Sequence, residues 1–230
     1  MFYVISDTHA LQYEFWKMLY EVGENDFTDK DYVIVCGDFA YTMSQDGRDE
    51  TFLRVLSEKP YTICFVDGNH ENFARINSLP VEEWNGGKVH KLKENVIHLM
   101  RGQVFTIDQK RIFTFGGGFS IDKELRVLGI TYFEEEMPTQ QEFDEGISNL
   151  SKFNNTVDYI FTHTVPTSLT SRLLHLTNRQ KRYGEERLND YLETIKNTVA
   201  FKKWYFGHWH LDSEIDEKFI AVYRKTQIIE

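Results

Sequence analysis

Five short strings in this chain carry the side chains that divalent metal ions bind. They are Asp7-Thr8-His9, Gly37-Asp38, Gly68-Asn69-His70-Glu71, His163 within Phe161-Thr162-His163-Thr164, and Gly207-His208-Trp209-His210. Carboxylate, amide oxygen and imidazole together suit ions of borderline hardness, with Mn expected and Fe or Zn as alternatives. The lack of thiolate sets the group apart from a structural zinc knuckle. The i, i+2 spacing of Asp7 with His9, and of His208 with His210, predicts that each pair shares one face of an extended segment. Glycine before Asp38, Asn69 and His208 allows tight turns and a close approach to bound metals. One histidine after a strand is usually only a polar loop residue. Five such strings in series are hard to obtain by chance.

Each string directly follows an apolar run of strand length. Residues 2–5, 32–36 and 61–66 read as buried strands. A helical stripe through Leu11, Phe15, Met18, Leu19 and Val22 separates the first two, and a helix over 48–58, through Phe52, Val55 and Leu56, separates the second and third. Strand and helix in alternation predict a largely parallel sheet covered by helices. Ligands in such sheets bind beyond the carboxyl ends of the strands, so these ends would point into one crevice. Residues 96–100, 103–107 and 111–115 are closely spaced and read as an antiparallel meander. A helix follows, opened by a capping box of Thr139 and Glu142 and striped by Phe143, Ile147 and Leu150. Strands over 157–161 and 203–206 bracket a helix through Leu188, Tyr191, Leu192, Ile195 and Val199, and 213–229 reads as a closing hairpin.

The order of the five strings resembles that of the calcineurin-like metallophosphoesterase superfamily, from residue 7 to residue 210. The resemblance implies an α/β fold: a four-layer α/β/β/α sandwich with two mixed central sheets and the metals at one edge. It implies one metal on Asp7, His9, Asp38 and His210, and a second on Asp38, Asn69, His163 and His208, with Asp38 bridging. Catalysis would fall to a hydroxide shared between the ions, with Asp38 and Asn69 holding them and His70 as general acid toward the leaving group. Protein phosphatases of this superfamily continue Gly-Asp with a further Asp and an Arg. Here the continuation is Phe39-Ala40-Tyr41-Thr42-Met43, which counts against a protein substrate and favours a phosphodiester over a phosphomonoester. The residue that orients His70 is left open among Asp46, Asp49 and Glu71. The alternative is an interaction module that keeps the fold without catalysis, yet all seven ligand candidates and His70 are present.

A length of 230 residues suits one domain over 1–230, and the balance of 41% hydrophobic and 27% charged residues is that of a globular protein. No apolar run is long enough to span a membrane, and the N-terminal residues do not read as a signal peptide. Cys36 and Cys64 lie in apolar strands and read as free thiols of a reduced compartment, so the cytoplasm is expected. The net charge of −10 opposes binding of a large duplex nucleic acid. A small phosphorylated substrate remains, with a nucleotide or short oligonucleotide as candidates. Arg75, Lys123 and Arg126 are possible substrate contacts, and Phe39, Tyr41, Phe73, Trp84, Tyr132, Phe133 and Trp209 possible stacking rings. Gly116-Gly117-Gly118 reads as a tight bend rather than a phosphate cradle. Glu134-Glu135-Glu136 and Glu185-Glu186 read as solvated faces, and His90, His98 and His175 as structural or surface residues. The oligomeric state, and whether 119–138 covers the site, stay open.

Overall fold

The computed structural model describes residues 1–43, 47–179 and 183–230. Its strands are β1 Phe2–Ile5, β2 Tyr32–Cys36, β3 Thr62–Val66, β4 Val81–Trp84, β5 Gly87–Lys93, β6 Val96–Leu99, β7 Gln103–Ile107, β8 Lys110–Phe115, β9 Tyr159–Thr162, β10 Lys203–Phe206, β11 Ser213–Glu214, β12 Phe219–Ala221 and β13 Gln227–Ile229. Its α-helices are α1 Gln12–Tyr20, α2 Arg48–Ser57, α3 Phe73–Asn77, α4 Gln140–Ser151, α5 Thr167–Thr177 and α6 Glu186–Thr198. A seven-stranded sheet runs β13-β1-β2-β3-β6-β5-β4, and a six-stranded sheet runs β11-β12-β10-β9-β8-β7. Both are mixed. The run β1-β2-β3-β6 is parallel in the first, and β8-β9-β10-β12 is parallel in the second.

The apolar strands are buried on both faces, which is why they read as continuous hydrophobic runs. In β1, Phe2 and Val4 face a core shared by both sheets, while Tyr3 and Ile5 pack with Phe15, Leu19, Phe52 and Leu56 of α1 and α2. On the far side, Phe113 and Phe115 of β8 and Trp204 of β10 pack with Phe143 of α4 and Leu188, Leu192 and Ile195 of α6. Helices, sheet, sheet and helices thus form the four layers expected. The Thr139–Glu142 capping box is present in full. Among the described residues, no helix is long and apolar enough to cross a membrane.

The meander is the main correction. Of its three strands, only β7 and β8 pair with each other as a hairpin. Strand β6 instead lies parallel to β3 and antiparallel to β5, so the turn at Arg101-Gly102 is a crossing between sheets. Short apolar strands at close spacing look the same whether they turn back or change sheet. Asn85-Gly86, both at positive φ, closes the β4–β5 hairpin, a turn signal that the expected element order passes over. The tail splits likewise: β11 and β12 pair with each other, while β13 pairs antiparallel with β1. Leu11, Val55 and Ile147 face outward, and Leu53 is buried in place of Val55.

Candidate metal centre

All five strings sit just past the carboxyl ends of parallel strands. Asp7, Asp38 and Asn69 follow β1, β2 and β3 of one sheet, and His163 and His208 follow β9 and β10 of the other. The local backbone differs from the extended form expected. Asp7, His9, Asp38, His208 and His210 have φ of 51°, 46°, 51°, 64° and 48°, which is left-handed. Asp and His tolerate that region better than most residues, yet each such turn costs on the order of 1 kcal/mol or more. Cross-strand bonds hold the turns: Asp7 N donates to Gly37 O (3.1 Å) and His9 N to Asp38 O (2.9 Å). Glu71 accepts from Phe39 N (2.8 Å) and Ala40 N (3.1 Å), fixing the loop after Asp38. Two glycines permit the close packing. A Cβ on Gly68 would lie 2.2 Å from Asp38 Oδ1, and one on Gly207 would lie 2.0 Å from Ser6 Oγ.

The donor atoms converge. His9 Nε2 faces His210 Nε2 at 3.2 Å, and His210 Nε2 lies 3.2 Å from Asp7 Oδ1. His163 Nε2 lies 3.2 Å from Asn69 Oδ1, 3.2 Å from His208 Nδ1 and 3.5 Å from Asp38 Oδ1. Asp7, His9 and His210 offer atoms within 4.8 Å of one another, as do Asp7, Asp38 and His163, and His9, Asp38 and His70. All seven ligand candidates are therefore brought into one cluster, with His70 beside it.

The donor set fits divalent cations on two observations. Asp7 and Asp38 are 0% and 2% exposed, and among the described residues no Lys or Arg pairs with either. Buried anions need compensation: Ser6 Oγ and the backbone N–H groups of His70 and His208 donate to them, but among the described residues only imidazoles can bring positive charge. Burial works against the charged form of His163, but Asp38 and Asp7 outweigh it and raise its pKa to about 10. An imidazolium there offsets the carboxylates as a cation would. The second observation is how the outer ring nitrogens are tied. His163 Nδ1 donates to Cys36 O (2.8 Å), and His208 Nε2 lies 3.3 Å from Glu185 Oε1. Each inner nitrogen is left facing the shared space, which is how metal-binding histidines are oriented.

Around the cluster, three expectations change. Glu185 and Glu136 are not solvated faces. Glu185 also accepts from Thr164 Oγ1 (2.8 Å) and Phe119 N (3.0 Å), and Glu136 is fully buried against Ser120 N (2.9 Å). Nothing in the local sequence marks either, because their partners lie far along the chain. His70 is met by Arg126, not by Glu71: Nη1 donates to His70 Nδ1 at 2.8 Å, and Asp122 grips the same guanidinium through Nε and Nη2, both at 2.8 Å. Asp49 is buried in the first turn of α2, and Asp46 lies outside the described residues. Burial takes the His70 pKa down to about 4, with Asp38 opposing and Arg126 adding to the shift. The guanidinium faces both ring nitrogens: Nη1 reaches Nδ1 at 2.8 Å and Nη2 lies 3.4 Å from Nε2.

The other candidates separate cleanly. Arg75 pairs with Glu50, and Lys123 lies over the Phe119 ring. Phe39, Tyr41, Phe73 and Phe133 are buried in the interior. His90 and His98 stack in the first sheet, and His98 meets Asp67. Gly116 and Gly118 pack against Asp67 and Asn69, the close bend expected. A cavity of about 160 Å³ opens beside His208, walled by Phe119, Leu174, Asn189 and Trp209. A wider groove of about 760 Å³ opens beside His9, bordered by Leu11, Tyr13 and Ile130.

The calcineurin-like phosphoesterase profile matches residues 1–212. No curated protein matches the sequence. Among solved structures the chain is similar to phosphopantetheinyl hydrolase from Mycobacterium tuberculosis, at 16% identity and a TM-score of 0.45, over 96% of this chain and 89% of that one. With the profile spanning the strands and strings that build the centre, the chain belongs to the calcineurin-like phosphoesterase family and is a metal-dependent phosphoric ester hydrolase.

Proposed function

We propose that this protein is a two-metal phosphodiesterase acting on a small substrate. The observation that carries the reading is the pair of buried carboxylates, Asp7 and Asp38, ringed by amide and imidazole donors with no Lys or Arg to match them among the described residues. Asp7, His9, Asp38 and His210 would hold one ion, and Asp38, Asn69, His163 and His208 the other, with Asp38 common to both sets. Mn is the expected metal, with Fe or Zn as alternatives. When bound, the ions supply Lewis-acid charge and a more acidic water. The chain's own part is positional. Glu185 and the Cys36 carbonyl aim His208 and His163 inward. His70, set by Arg126 beside its ring, is the general acid toward the departing oxygen: its imidazolium form gives up one proton and returns to the neutral ring.

Three features support the diester over the monoester. No Asp or Arg follows Gly37-Asp38 in the protein-phosphatase manner. In this reading His70 stands outside the ligand set and serves the leaving group. Openings flank the centre at both His208 and His9, so each arm of a diester has a place to lie. Nucleotides and short oligonucleotides are the substrates to screen first. Two buried free cysteines support a reducing compartment such as the cytoplasm.

The test is a paired assay. Chelator-stripped protein reloaded with Mn is given bis-p-nitrophenyl phosphate and p-nitrophenyl phosphate. A higher kcat/KM for the diester is expected. A monoester preference would overturn the diester reading, and turnover of neither with metal bound would favour a non-catalytic interaction module.

A further inference from the structure

Asn69 differs from the other ligand candidates, because its amide has two ends of the same shape and only the oxygen can bind a metal. What the other end meets decides which one faces the centre. Asn69 Nδ2 lies 3.1 Å from Ser120 Oγ, while Oδ1 lies 3.2 Å from His163 Nε2. Both Asn69 and Ser120 are buried. Ser120 is itself anchored: its backbone N–H donates to Glu136 Oε1 at 2.9 Å. In that position the hydroxyl oxygen accepts from Asn69 Nδ2. The approach depends on the glycine run after β8. A Cβ on Gly118 would come within 3.1 Å of Asn69 Oδ1 and 3.0 Å of His163 Cδ2. Gly118 N donates to the Glu136 carbonyl at 3.2 Å, so both ends of the 119–136 segment close on the same spot.

We propose that Ser120, anchored by Glu136, is a positioning residue for the second metal: its Oγ accepts from Asn69 Nδ2 and so turns Oδ1 toward the ion. This rests on Asn69 being a ligand. Partners that orient metal ligands are worth roughly 10- to 100-fold in metal affinity. Removal of the hydroxyl leaves the amide free to rotate, whereas a carboxylate at position 69 presents oxygen whichever way it turns.

That difference gives the experiment. Mn is titrated calorimetrically into chelator-stripped wild type, Ser120→Ala, Asn69→Asp, the Ser120→Ala/Asn69→Asp double variant and Asn69→Ala, and the stripped proteins are melted in parallel. Ser120→Ala is expected to weaken one of two Mn sites by roughly 10-fold or more, with the melting of the stripped protein little changed. The double variant is expected to bind as Asn69→Asp does, a rescue that a merely structural role for Ser120 would not produce. Wild-type affinities in Ser120→Ala would overturn the proposal. So would a double variant that binds more weakly than Asn69→Asp by the factor that Ser120→Ala loses against wild type. If Asn69→Ala also leaves both sites unchanged, the ligand reading of Asn69 fails, and the role of Ser120 fails with it. If Asn69→Ala alone weakens a site, only the role of Ser120 is lost.

Discussion

His70 and Arg126 meet at 2.8 Å, and their contact sets what His70 can do. The guanidinium lies against both ring nitrogens and fixes how the ring is presented to the centre. We therefore expect His70→Ala to keep its metals and to lose roughly 10²–10⁴-fold in kcat on diesters of alkyl alcohols. The loss should be much smaller with nitrophenolate, which departs without a proton. Equal losses on both substrates, measured side by side, would remove the donor role. At this scale the sequence is informative about one class of residue only. Side chains able to bind metal are chemically distinctive and follow strands, so the candidates Asp7, His9, Asp38, Asn69, His163, His208 and His210 can be picked out by type. Those that hold them are ordinary. Glu185 lies in an acidic pair like any surface pair, and Ser120 and Glu136 gain meaning only when the chain folds them onto Asn69.

At the scale of elements, what matters is how a strand hands its last residues to the site. Strand β3 ends at Val66, and the next residue, Asp67, is tied to Arg101 in the turn where the chain crosses from the first sheet to the second. Arg101 binds Asp67 Oδ2 through Nη2 (2.6 Å) and Nε (2.9 Å), and reaches the Glu135 carbonyl (2.8 Å). Both partners are almost entirely buried. Breaking such a pair from one side strands a buried charge, so Arg101→Met is expected to cost about 3–5 kcal/mol in urea unfolding. A loss below about 1 kcal/mol would mean that water reaches Asp67 and that the pair behaves as a surface one. Elements are legible where burial writes a pattern. Strands covered on both faces read as apolar runs, and Thr139 and Glu142 announce the start of α4. Short elements such as α3 and the exposed hairpin strand β4 carry too little periodicity. The partner of β6 is not legible, because pairing depends on a distant strand rather than on its own residues.

At the scale of the whole molecule, two sheets pack face to face and bring five strand ends to one edge. The chain carries a net charge of −10, and the buried carboxylates Asp7 and Asp38, which no Lys or Arg among the described residues matches, lie at that edge. Divalent cations bound there would reverse the local sign and let an anionic phosphate ester approach an acidic protein. The most direct test of this account is the metal content of wild type and Asp38→Ala after chelation, Mn loading and removal of free ion, with turnover measured on the same samples. We expect about two Mn per wild-type chain, and a large loss of both metal and turnover in Asp38→Ala, since both ions share that carboxylate. Two ions retained in Asp38→Ala, or full turnover in wild type that carries none, would contradict a two-metal centre built on Asp38.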